Sequence, residues 1–140
     1  MAKQSKTRSV SEQQVGVYLE KAGEFLRRSL GSLAEEDFNA AGLLAVHAAI
    51  SANDAVSGQY SQKRSATEDH QKAADLLREI APTGARDWNL QANRLNKIVG
   101  KKNLVAYEGR LMSAKEATWL VDQAERFVNW AKEVVGTEVQ

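Results

Sequence analysis

The chain has 140 residues, 43% of them hydrophobic and 26% charged, with a formal net charge of +1. That length suits one domain with a substantial core, and the balance excludes global disorder. Cysteine is absent, which excludes disulfides and thiolate metal sites.

The first residues, Met1 to Arg8, lack the apolar stretch of a signal peptide. No run approaches the roughly 18 apolar residues of a membrane span. A cytoplasmic protein with no membrane contact is therefore expected. Residues 1–10 read as a disordered basic tail and residues 11–136 as a single domain. A lone proline, Pro82, favours long helices.

A first helix is predicted over residues 11–30, with Val15, Tyr18, Leu19, Ala22, Phe25, Leu26 and Leu30 inward. Ser11 and Gln14 form its capping box and Gly31 supplies a stop. The second helix begins between residues 32 and 38 and runs to about Val56. Residues 57–65 form a polar connection, the best candidate for a mobile loop. A third helix covers residues 66–80, capped by Ser65 and Glu68 and closed by Pro82 and Gly84. A fourth covers residues 87–110 with Trp88, Ala92, Leu95 and Val99 inward and a kink at Gly100. The last starts at the capping box Ser113–Glu116 and carries a stripe from Ala117 to Val135, with Gly136 as its end. The fold class is all-α, an up-and-down bundle of four to five helices.

The second helix is apolar on nearly every side and should be central. His47, Ser51 and Asp54 nevertheless make one polar stripe along it, at i, i+4 and i+7. Buried polar groups need partners. The stripe therefore either bonds to neighbouring helices or faces a wet cleft.

Residues 86–110 carry six basic side chains against two acidic ones. Arg94, Lys97 and Lys101 form a ridge there, either a solvated face or a surface for RNA phosphates. Trp88, Trp119 and Trp130 read as core or interface anchors. Only Trp88 sits close enough to the basic segment for base stacking.

The run from Asn39 to Ala55, then Arg64-Ser65, Asp69-His70 and Leu76-Leu77, resembles HEPN-domain proteins of bacteria and archaea. Lys102-Asn103 to Tyr107 and the helix from Ser113 fit as well, so the resemblance spans residues 11–135. It implies a bundle that forms a homodimer, acts on RNA or binds a nucleotide, and belongs to a toxin–antitoxin or defence system, with an antitoxin protein as a partner. Many members are metal-independent endoribonucleases with an arginine, an adjacent polar residue and a histidine. Here Lys102 stands in the arginine slot, Asn103 in the polar slot and Tyr107 in the histidine slot. Lysine binds phosphate as a point charge without the guanidinium fork. Tyrosine, with an ordinary pKa of about 10, is a poor general base near neutrality. The usual apparatus is thus absent as such, and catalysis stays open.

A replacement constellation would draw on His47, Asp54, Lys102 and Tyr107 as catalytic candidates. Asn103, His70, Arg94, Lys97 and Lys101 are the candidates for RNA or nucleotide contact. Lys102 lies on the stripe of Leu95 and Val99 and points inward, so Asp54 is its natural acidic partner. His70 reads either as an inward polar group or as an ordinary helix-start residue. No metal-ligand spacing, phosphate-binding glycine loop or nucleophile elbow is present, so neither metal nor cofactor is expected. The competing function is a non-catalytic helical module that docks another protein.

Overall fold

A computed structural model describes residues 6–66 and 70–138 of the chain. It is an all-α bundle with one small two-stranded sheet. In chain order the elements are β1 (Thr7–Ser9), α1 (Glu12–Ala34), α2 (Phe38–Ser61), β2 (Lys63–Ser65), α3 (His70–Glu79), α4 (Trp88–Val99), α5 (Lys102–Tyr107) and α6 (Ala114–Glu138).

Helix α2 is the centre. It packs against α1, α6, α4, α5, α3 and β2, and its alanines and glycines from Ala41 to Gly58 are buried. Small side chains let the neighbours approach closely. A Cβ on Gly42 would stand 2.5 Å from the Met112 sulfur, and one on Gly58 would stand 2.5 Å from Val10 Cγ1. Of the expected stripe the last helix buries Ala117, Leu120, Val121, Ala124, Phe127, Val128, Ala131 and Val135, and Val134 is half-buried. Both expected capping boxes form. The Gln14 N–H donates to Ser11 Oγ at 3.2 Å and the Ser11 N–H to Gln14 Oε1 at 2.9 Å. Ser113 and Glu116 exchange the same two bonds, at 3.1 and 2.9 Å.

Several boundaries differ from expectation. Helix α1 passes through Gly31 to Ala34, and the turn is made by Glu36 in the left-handed region at φ 63°. Gly31 costs only about 1 kcal/mol inside a helix, too little to stop one whose neighbours are packed. Leu30, expected inward, is 38% exposed. Ser29 takes the buried position instead and donates to the Ala41 carbonyl at 2.7 Å. Gly136 likewise fails to end α6.

The expected loop at residues 57–65 is instead the last five residues of α2, a left-handed Gln62 and strand β2. Strand β2 pairs antiparallel with β1, matching Thr7 with Ser65, Arg8 with Arg64 and Ser9 with Lys63. Residues 7–10, read from sequence as part of a tail, are thereby fixed: Val10 is 4% exposed and its N–H donates to the Gln62 carbonyl. Ser65 belongs to that strand, so it does not cap α3. Its expected capping partner Glu68 lies outside the described residues, as do residues 1–5 of the expected tail. At Gly100 the helix ends rather than kinks. The Lys101 N–H bonds the Ile98 carbonyl in a tightened last turn, and the short α5 follows.

Candidate functional site

The polar stripe of α2 exists, and the structure divides it into two places. His47 and Asp54 are separated by two helical turns, about 10 Å of rise. Each meets a different cation.

At the first place His47 faces α5. His47 is exposed, and its ring packs against Phe25, with centroids 6.2 Å apart at 59°. Desolvation against the bundle and, after it, the nearby Lys102 ammonium hold the imidazole pKa below the ordinary histidine value. Near neutrality His47 is therefore a neutral ring with one nitrogen free to accept. Lys102 is half-buried at the start of α5, next to exposed Lys101 and Asn103. Lys102→Gln should raise the His47 pKa, read by NMR titration of the imidazoles. An unmoved His47 midpoint would show that the two residues do not sense one another.

At the second place Asp54 lines a cleft of about 140 Å³ with Ile50, Asn53, Arg64, Ser65, Ala66, Ala73, Leu95 and Val99. Burial pushes its carboxyl up to about 7, partly opposed by the Arg64 charge. The cation acting on Asp54 is thus Arg64 of β2, whereas the sequence suggests Lys102. Helix geometry explains the exchange: Lys102 reaches α2 at the level of His47, and the β1–β2 pairing carries Arg64 to the level of Asp54. The guanidinium is held by α1, its Nε donating to the Tyr18 hydroxyl at 3.0 Å and its centre lying 5.9 Å from that ring. Asn53 in the same cleft is 1% exposed, and Asn53 Oδ1 and Ser65 Oγ have no hydrogen-bond partner among the described residues.

The remaining candidates lie elsewhere. Tyr107 is 76% exposed at the end of α5 and does not join either group. Lys97 and Lys101 are exposed on α4 and just beyond it. Arg94 is tied down, donating to Gln123 Oε1 at 2.9 Å and to Gln91 Oε1 at 3.0 Å. His70 opens α3, and its side chain lies outside the described residues. Trp88 is buried, which removes it as a stacking platform.

Asp54 stands out in the sequence as a site candidate, whereas its neighbours Asn53 and Arg64 do not. The polar pair Asn53-Asp54 in an otherwise apolar helix is the available signal; the reach of Arg64 depends on strand pairing that three polar residues do not announce. Neither protein-family models nor curated protein sequences match the chain. Among the described residues no helix is long and apolar enough to cross a membrane.

Proposed function

We propose that this chain is a HEPN-like protein that binds RNA or a nucleotide through the face where His47 and Lys102 meet, in a cytoplasmic toxin–antitoxin or defence setting. The observation that carries the reading is that juxtaposition: a neutral imidazole and an ammonium from separate helices, with Lys101 and Asn103 exposed beside them. An ammonium binds a phosphate oxygen, and a neutral imidazole hydrogen-bonds a ribose hydroxyl. Binding is favoured over cleavage, because Tyr107, which fills the histidine slot, stands apart in solvent.

Anisotropy of labelled single-stranded RNA tests this directly. Affinity should fall steeply between about 50 and about 200 mM salt. Lys102→Ala should weaken binding to all sequences alike and reduce the salt slope by about one. The RNA should remain intact on a gel. If neither RNA nor a nucleotide binds at the lower salt, the reading fails.

A second reading, a protein-docking module, is favoured by apolar surface around α5 and α6. Leu111 is 78% exposed, and Trp119 borders a groove of about 270 Å³ with Leu104, Met112 and Leu120. The homodimer and antitoxin expected from the resemblance would use such a surface. A strict monomer by light scattering at micromolar concentration would count against the homodimer.

A further inference from the structure

We infer that the Asp54 cleft is a binding site for a small zwitterion of the aliphatic α-amino acid class, its ammonium on Asp54 and Asn53 and its carboxylate on Arg64. The site uses neither His47 nor Lys102, so it stands independently of the RNA reading.

The lining of the cleft carries unmet polarity. Asn53 Oδ1 is a buried acceptor with no partner among the described residues, and Ser65 Oγ is in the same state. Burying such groups without a hydrogen bond is unfavourable, so two of them on residues that line one cleft point to a guest that supplies N–H donors. Asp54 adds a further acceptor next to Asn53. Two acceptors and a hydroxyl in the lining of one cleft suit an ammonium group, with its three donors.

The lining also carries charge of both signs. Asp54 feels the Arg64 charge, yet the two form no ion pair among the described residues. They face the same cleft as separate poles. Arg64 spends Nε on Tyr18 and Nη1 on the Ser65 carbonyl at 3.2 Å, which orients the guanidinium and, among the described residues, leaves Nη2 to donate. A guest with a single charge would be attracted by one pole and repelled by the other. A guest carrying both charges satisfies both, and the carboxylate suits the guanidinium.

Size and wall chemistry narrow the class. The cleft is about 140 Å³, the space of roughly five waters at about 30 Å³ each. Its remaining walls, Ile50, Ala73, Leu95 and Val99, are aliphatic. Among the described residues no aromatic ring lines it, and a nucleobase is usually held by stacking on one. A small aliphatic side chain fits those walls better than a base or a charged chain. The ammonium also favours the ionised form of Asp54, which burial otherwise holds near about 7. Seating the guest at neutral pH should therefore release a proton.

Calorimetry with the full chain and L-valine, L-alanine, L-lysine, methylammonium, acetate and AMP tests the assignment. L-valine or L-alanine should bind, with a heat that varies with the ionisation enthalpy of the buffer. Arg64→Gln and Asp54→Asn should each weaken that binding tenfold or more while circular dichroism stays helical. NMR of the unmodified protein keeps the test valid if a variant misfolds: L-valine should shift the Asn53 side-chain amide. No binding of either aliphatic amino acid at tens of millimolar, with an unmoved Asn53 amide, would overturn the proposal. So would tighter binding of AMP or L-lysine, or equal binding of methylammonium or acetate alone.

Discussion

Trp88→Ala is expected to destabilise the protein by about 3–5 kcal/mol, the ordinary cost of removing a buried indole. Trp88 is 4% exposed and meets two other rings edge-on, Tyr60 and Trp130, each with centroids 5.0 Å away. Phe127 extends the cluster through Trp130 at 5.5 Å. Such pairs contribute about 0.5–1.5 kcal/mol each beyond the buried area. The indole N–H donates to the Leu77 carbonyl. That carbonyl lies in the last turn of α3, where helix geometry leaves acceptors without an intrahelical partner. Trp88 therefore fastens the start of α4 to the end of α3 while filling the space between α2 and α6. Whole domains are stable by only about 5–15 kcal/mol, so the loss should move the urea midpoint a long way. Trp88→Phe separates the two roles, since it keeps a ring and drops the donor; it should cost about 1–2 kcal/mol. A Trp88→Ala midpoint within experimental error of the parent would remove Trp88 from the core.

How far the sequence anticipates this architecture depends on which interactions set each feature. The stripe of α6 and both capping boxes are local, made by residues three and four apart, and they are legible. The central place of α2 is legible too, because a helix apolar all round has nowhere else to go. Ends are less so. Gly31 and Gly136 read as stops, but the local preference of a single glycine is weaker than the packing of the turns around it. The β1–β2 pair escapes notice because Thr-Arg-Ser and Lys-Arg-Ser carry no apolar alternation. What fixes it is remote: Val10 seats on Gly58, where a side chain would collide with it. The same pairing delivers Arg64 to Asp54. Legibility of the site fails at that step, since the cation beside Asp54 is chosen by the pairing of β2 with a strand from the start of the chain. His47 and Asp54 are visible in the sequence as one stripe; that they serve two places is not.

Asp54→Asn is expected to stabilise the protein at about pH 8 and leave it nearly unchanged at about pH 4. Burial in the cleft raises the carboxyl from its ordinary 3.8 to about 7, and Arg64, the other charged residue described in the lining, offsets part of that rise. A carboxyl with a raised folded-state pKa binds its proton more tightly in the folded than in the unfolded chain. Its contribution is therefore most favourable below about pH 4 and is lost as pH rises through about 7. A rise of that size corresponds to about 4 kcal/mol at full strength. Asp54 is half-buried and borders an open cleft, so water screens the charge and about 2 kcal/mol is the expected gain. Asparagine keeps the shape and one acceptor while removing the ionisation, so it isolates the charge from the packing. Urea unfolding at the two pH values provides the comparison, with the difference between variant and parent growing from about pH 4 to about pH 7 and then levelling. A difference independent of pH would mean that the Asp54 carboxyl is as well solvated in the folded protein as in the unfolded chain. The cleft would then be too wet for its neighbours Asn53 and Ser65 to need a guest.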